Sequence, residues 1–376
     1  MHAAVWTRRL PWSLVAATVA LVLLGCLGIA RSEELAGTSG WHLTRQLFWL
    51  PVCTVAMLLV TVPSYRVLSR YSYAAFGASV VLLVAVYWFP PVNGAQRWIR
   101  FGPLGMQPSE FAKLACVLAL ARYLVHRESH RQLLGLLVPL GLTFVPVVLV
   151  LKEPDLGTAL VFFPVLFAML FAAGARRRHL ALVTLLAVAM LPLLWAQMSR
   201  EQRSRITALA EQTSAGQRPT DDGYQLHQAK QLLALGGWRG SWLAGEVTPD
   251  RSAYYVPEPH TDSIAVVLGE RFGLLGWAVM LALFLWLIHR GLAIAQATRE
   301  PYGRLVAIGI AALLATQVTI NLGMLVGLLP ITGLALPLVS YGGSSLLANA
   351  LALGLLLNVG LRPGYELTNE PFRFAD

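Results

Sequence analysis

The chain has 376 residues, 56% of them hydrophobic and 13% charged, with a mean hydropathy of +0.62. Soluble domains carry roughly 25% charged residues, so this composition excludes a water-soluble globular fold. The net charge of +10 would suit a nucleic-acid partner in a soluble protein. Here the basic residues sit beside the ends of apolar runs, where they act as membrane-orienting charges, and a nucleic-acid partner is excluded.

Ten apolar runs follow one another, at 12–30, 46–62, 71–89, 108–126, 133–151, 156–174, 180–197, 263–289, 304–328 and 337–361. At about 1.5 Å of rise per residue they are of the length needed to cross a hydrocarbon core of about 30 Å as helices. The pattern predicts an all-α polytopic membrane protein of about ten transmembrane helices. It forms a single domain over 1–376, with a long extracytoplasmic loop at 198–262 between spans seven and eight. Arg8 and Arg9 precede the first run, which reads as a retained anchor because further spans follow it. With the N-terminus inside, the inner side holds Arg8, Arg9, Arg66, Arg70, Arg122, Arg127, Arg131, Arg176, Arg177, Arg178, Arg290, Arg299, Arg304, Arg362 and Arg373. The short outer loops hold Arg31, Arg45, Arg97, Arg100 and Lys152. This bias predicts an inner-membrane protein with both termini in the cytoplasm. Cys26, Cys53 and Cys116 lie inside apolar runs and give neither a disulfide framework nor a metal pattern.

Polar residues that border or enter the spans gather on the outer side. The loop after the third span holds Arg97, and the fourth span opens with Gln107, Pro108, Ser109, Glu110 and Lys113. Proline suits a first helical turn, and Glu110 and Lys113 are spaced for an ion pair on one helix face. Asp155, after Pro154, is placed to cap the sixth span. The long loop carries an amphipathic stretch at 223–230 and a glycine- and tryptophan-rich stretch at 236–242, which read as a lid on the interface. Lys230 within it fits a diphosphate or anionic lipid, and equally a solvated helix face. His260, Thr261 and Asp262 open the eighth span, with Glu270 and Arg271 about two turns deeper. Asp262 fits a helix N-cap as well as a catalytic carboxylate. Gln317 and Asn321 approach the outer end of the ninth span, and Ser340 lies in the polar start of the tenth, whose glycines and serines read as close packing. Polarity confined to one side favours chemistry at the outer leaflet over a route across the bilayer, which needs polar groups near the midplane.

Six blocks carry a resemblance: GAQRW at 94–98, QPSEFAK at 107–113, PDLGTA at 154–159, GYQLHQAK at 223–230, HTDSI at 260–264 and NLGMLVGLLPITGLALPLVSYGGSS at 321–345. Over nearly the whole chain they resemble the SEDS (shape, elongation, division, sporulation) family, and the GAQRW form, the length and the short termini are most similar to its RodA branch. The resemblance implies a ten-span peptidoglycan glycosyltransferase that polymerises lipid II for cell-wall elongation. It also implies a class B penicillin-binding protein and elongation-complex membrane proteins as partners. A divalent cation, Mg or Mn, would accompany the substrate diphosphate, with no organic cofactor. Asp262 matches the family's essential acid, while Arg97, Gln107, Ser109, Glu110, Lys113 and Asp155 match positions that line or support its outer cavity. Ser263 and Arg271 stand where relatives commonly carry Phe and Glu.

Forming a glycosidic bond from a sugar diphosphate needs a base for the attacking hydroxyl and positive charge for the departing diphosphate. Because the diphosphate leaves without protonation, one carboxylate suffices. Asp262 is then the general base toward the 4-hydroxyl of an N-acetylglucosamine. Arg97 is a candidate to hold phosphate or to anchor the interface, and Glu110 with Lys113 forms a structural pair shaping the cavity. His260 is expected to hydrogen-bond Asp155 or Asp262. Two rival functions fit the same spans and substrate: a lipid II flippase, and a non-catalytic scaffold for the penicillin-binding protein.

Overall fold

The computed structural model describes residues 11–364 except 39, 93–94, 103, 128–131, 190–191, 193–194, 197, 199, 212–221 and 363. Arg8, Arg9, Arg131 and Arg373 of the orientation argument, Gly94 of the first block and several residues of the seventh span beyond 189 lie outside the described residues. The first seven helices are α1 (Trp12–Ala36), α2 (Trp41–Thr61), α3 (Tyr65–Ala85), α4 (Pro108–His126), α5 (Leu137–Lys152), α6 (Leu156–Ala172) and α7 (Arg177–Ala189). Three helices of the long loop follow, α8 (Arg200–Glu211), α9 (Asp222–Gly236) and α10 (Gly240–Ala244). The last three are α11 (Ile264–Ala297), α12 (Pro301–Val326) and α13 (Gly343–Leu361). Strands β1 (Ile99–Phe101) and β2 (Leu104–Met106) pair antiparallel in a small hairpin before α4.

A helix therefore stands at each of the ten expected span positions. Seven segments, covering α1, α2, α3, α5, α11, α12 and α13, are long and apolar enough to cross a membrane. Of the other three, α6 is apolar but only 17 residues long, α4 carries Glu110, Lys113 and Arg122, and α7 is described over 13 residues. Several expected boundaries shift, the second span beginning at Trp41, the third at Tyr65 and the eighth running to Ala297, and two of the shifts bear on the site. The first span continues to Ala36, so Arg31 belongs to a helix and is buried, not part of a short outer loop. The tenth helix begins at Gly343 instead of 337, because Gly333, Leu338 and Gly342 all have positive φ and hold the preceding segment out of the helical region.

The core is formed by α11, α12 and α13 with α1, α2, α4 and α6 packed around them. Packing in lipid relies on close backbone approach more than on water exclusion. At Gly354 of α13 a Cβ would stand 2.5 Å from the Met57 carbonyl oxygen of α2, so this crossing requires glycine. Outward-facing Phe48, Val55, Leu58 and Leu59 on α2 are exposed, as a lipid-facing surface demands. At the end of the bundle where α12 begins and α13 finishes the polar groups are fasteners. Ser72 Oγ and Tyr302 OH lie 2.9 Å apart, and Asn358 Nδ2 donates to the carbonyls of Val60 and Pro63 at 2.8 Å. Cys53 and Cys116 are buried and Cys26 half-buried, all with free thiols, as the apolar runs imply.

Candidate active site

The backbone of 260–262 is held from three directions. Asn321 Nδ2 on α12 donates to the Asp262 carbonyl at 2.9 Å and to that of Leu334 at 2.6 Å. Ser340 Oγ donates to the Thr261 carbonyl at 2.5 Å and accepts from the Leu336 N–H at 2.8 Å. The Tyr341 N–H donates to the His260 carbonyl at 2.8 Å. The irregular segment before α13 is thus a brace for the motif, and its polar residues do more than allow helices to pack.

Of the two readings left open for Asp262, the capping one is not realised. Ser263 is the N-cap of α11 and no side chain caps that helix. The Asp262 carboxylate turns instead toward the long loop, where Gln225 Nε2 of α9 donates to Oδ2 at 3.2 Å, while Thr261 Oγ1 lies 3.4 Å from Oδ1. It is 7% exposed. Burial pushes its pKa up to about 6, with Glu258 adding to the rise and the Gln225 hydrogen bond opposing it. A carboxylate poised there is ionised at neutral pH yet basic enough to take a proton.

A second group of site residues surrounds the turn into α6. Asp155 caps that helix as expected, accepting from the Thr158 N–H at 3.0 Å and the Thr158 hydroxyl at 2.9 Å, and Gln107 Nε2 donates to it at 3.3 Å. Lys113 Nζ meets Glu110 Oε1 at 2.8 Å with both side chains buried, which is the expected ion pair. Ser109 is buried beside them with no hydrogen-bond partner for its hydroxyl. Arg97 Nε and Nη2 donate to the carbonyls of Glu153 and Pro154 at 2.8 and 2.5 Å, so this guanidinium pins the turn. Beneath it the Glu153 carboxyl is fully buried without a hydrogen bond, and burial with Asp155 nearby pushes its pKa up to about 8 against the pull of Arg97. The segment before α13 joins the two groups. Thr332 packs against Gly157 of α6, and Gly333 lies beside Asp262 Oδ2.

His260 departs from expectation. Its ring stacks on that of His42, with centroids 4.0 Å apart, and meets Tyr341 edge-on, because the first turn of α2 carries His42 across it. Burial and the neighbouring His42 lower its pKa. Lys230 stands on the exposed side of α9, and the hydrogen bonds to the Asp262 carboxylate come from Gln225 and Thr261.

The sequence reading missed a cation that ties the loop down. Arg31 Nε and Nη2 form a bidentate pair with Glu270 at 3.0 and 2.8 Å, Nη2 also reaches Glu246 at 3.1 Å and Ser241 at 3.4 Å, and Nη1 reaches Glu34 at 3.1 Å. One residue thereby joins α1, α11 and the loop after α9. At the same level α11 breaks at Gly273, with φ +66°, and the loop occupies the break. Leu274 N–H donates to the Gly237 carbonyl at 2.9 Å, and a Cβ on Gly273 would stand 2.5 Å from Trp238 backbone. The available signal was an arginine directly after an apolar run that had room to continue as helix.

Among the described residues, no cluster of three or more His, Cys, Asp or Glu side chains is placed to hold a metal ion. A cation bound together with a diphosphate, as Mg²⁺ often is, would take most of its ligands from substrate oxygens.

Comparison with known proteins matches residues 8–362 to the family model FTSW_RODA_SPOVE, described as cell cycle protein. The chain is 34% identical over 355 residues to a probable peptidoglycan glycosyltransferase FtsW of Geobacter metallireducens, covering 92% of each chain. It is also similar to a chain from a structure entitled "Structural coordination of polymerization and crosslinking by a peptidoglycan synthase complex", with TM-score 0.78, 34% identity and coverage of 93% of this chain and 97% of that one. A crystal structure of the rod shape determining protein RodA of Thermus thermophilus gives TM-score 0.69 and 31% identity, covering 95% of this chain and 98% of that one.

Proposed function

This chain belongs to the FtsW, RodA and SpoVE family, the SEDS peptidoglycan glycosyltransferases, and on that premise we propose that it polymerises lipid II for cell-wall elongation, with Asp262 as general base. The observation that carries the reading is the state of Asp262: buried, with its pKa raised to about 6, and fixed by α9, α12 and the segment before α13 at the outer end of the bundle.

In the reaction the 4-hydroxyl of one N-acetylglucosamine attacks the anomeric carbon of a second, diphosphate-linked sugar. The new C–O bond forms as the bond to the diphosphate breaks, and the hydroxyl proton passes to Asp262. A divalent cation shared with the diphosphate would supply charge stabilisation for the leaving group. Asn321, Ser340 and Gln225 keep the base in place during this transfer. Glu110 and Lys113 shape the neighbouring wall.

The elongation role rests on the GAQRW form and the likeness to RodA, and relatives named FtsW match to a similar degree. A class B penicillin-binding protein is the proposed partner, in keeping with the synthase complex to which the chain is similar, and other elongation proteins would assemble around the pair. Inner-membrane placement with cytoplasmic termini follows from the arginine bias.

The test is polymerisation of labelled lipid II by the purified protein with its partner and Mg²⁺ or Mn²⁺. Asp262→Asn is expected to lower the rate about 10²–10⁴-fold at unchanged folding. The base is lost as pH falls through its pKa, so the wild-type rate should level off above about pH 7 and fall about tenfold per unit below about pH 6. Equal product from Asp262→Asn removes it as the base. No product from either protein returns the flippase and the scaffold as readings.

A further inference from the structure

Beside His260 lies a cavity of about 300 Å³, at the lower end of small-molecule sites. Two distant parts of the chain enclose it. The last turns of α1 and the first turn of α2 supply Glu33 and His42, and the approach to α11 supplies Arg251, Tyr255, Glu258 and His260. Its inner wall is built, since Glu33 is 5% exposed and accepts the His42 backbone N–H at 2.6 Å, with the His42 ring nitrogen 3.2 Å away.

The cavity is tied to the proposed catalytic carboxylate through one hydroxyl. Thr261 Oγ1 lies 3.2 Å from Glu258 Oε2, on the cavity wall, and 3.4 Å from Asp262 Oδ1. Glu258 is held at φ +48°, in the left-handed region where a residue with a Cβ is strained. Thr261 has one hydroxyl hydrogen for two carboxylates, so Glu258 and Asp262 compete for it, and strain at such a wall residue points to a shaped site rather than to a packing gap.

The lining decides the class of ligand. Two carboxylates and one guanidinium line the cavity, and one of the carboxylates, Glu33, is already engaged by the backbone N–H and ring of His42. A diphosphate or a peptide carboxylate finds no surplus of positive charge in this lining to hold it. Hydroxyl and amide N–H groups would be accepted by the carboxylates, an acetamide carbonyl by Arg251, and the apolar face of a sugar ring would rest on Tyr255. The volume suits a single pyranose and not a lipid-linked disaccharide with its peptide. We propose that this cavity is a subsite for an uncharged N-acetylhexosamine unit of the glycan strand, held within reach of the sugar on which Asp262 acts. The proposal rests on the glycosyltransferase reading above. It predicts that the enzyme retains the strand between additions, so that loss of the subsite shortens the product.

The experiment uses the full-length protein with its partner, and as probe the soluble trimer of β-1,4-linked N-acetylglucosamine, followed by saturation-transfer NMR. Two variants are compared with wild type. Tyr255→Ala removes an exposed ring, and Ala36→Trp fills the cavity from the end of α1, away from the hydrogen bonds of Asp262. The expected result is that both weaken trimer binding about tenfold or more and that strands made from lipid II become several-fold shorter. Because binding is read without turnover, its loss in both variants supports the subsite whether or not lipid II is polymerised. Wild-type binding by Ala36→Trp overturns the proposal, and so does the absence of any binding by wild type at about 10 mM trimer.

Discussion

Two buried ion pairs lie near the ends of spans, and they differ in what must exist before they form. Glu110 and Lys113 are three residues apart on α4, 2.8 Å from each other. Arg31 and Glu270 are 239 residues apart and meet only when α1 and α11 have packed and the loop has folded back over them. In a membrane the reference state before packing retains its helices. The local pair is therefore largely present before assembly and shapes a surface, whereas the distant pair appears with the tertiary structure and fastens it. The same guanidinium also reaches Ser241 and Glu246, so it secures the loop whose α9 supplies Gln225 to Asp262.

Breaking the distant pair should have the largest effect. Arg31→Gln leaves the fully buried Glu270 without its cation, a change that costs about 3–5 kcal/mol. Thermal unfolding of the purified protein measures it, and an unchanged midpoint would mean that the pair does not fasten the fold. Asp155→Ala removes a cap that is as local as the Glu110–Lys113 pair but also receives Gln107 from another helix; a loss of about 1 kcal/mol is expected by the same measurement. For the local pair itself, a double-mutant cycle with Glu110→Gln and Lys113→Met should give a coupling below about 0.5 kcal/mol. A coupling as large as the Arg31 effect would erase the distinction drawn between the two pairs.

Glu153 sharpens the comparison from the other side, because a buried carboxyl with no hydrogen bond, and with Arg97 too weak to offset its burial, holds its proton. With its folded pKa raised to about 8, its contribution to stability is full below the ordinary carboxylate range and is lost as pH climbs through about 8. Glu153→Gln should thus match wild type near pH 5 and become the more stable protein as pH approaches 8, as melting curves across that range would show.

What could be read in advance followed from spacing along one element. The Glu110–Lys113 pair and the Asp155 cap are separated from their partners by three residues, a distance that helix geometry converts directly into contact. Arg97 was recognised as a site residue, but its partners, two carbonyls more than fifty residues away, were not. His260 was placed beside Asp262 in sequence, yet its ring is claimed by His42, which arrives from another span. The role of Gln225 was invisible for the same reason, since nothing in an amphipathic loop helix marks the one side chain that will reach a carboxylate 37 residues on.

The sequence by itself determined that the protein is a helical membrane protein and at which positions helices stand along the described residues. Each of these depends on hydropathy and local spacing, which the surroundings do not alter. Only the tertiary structure decided that Arg31 is buried, that α11 breaks at Gly273 to receive the loop, and that Asp262 is enclosed and raised in pKa instead of capping its helix. Those properties belong to contacts between residues far apart in the chain, and burial, charge pairing and proton affinity are set by what the packed helices bring within a few ångströms of one another.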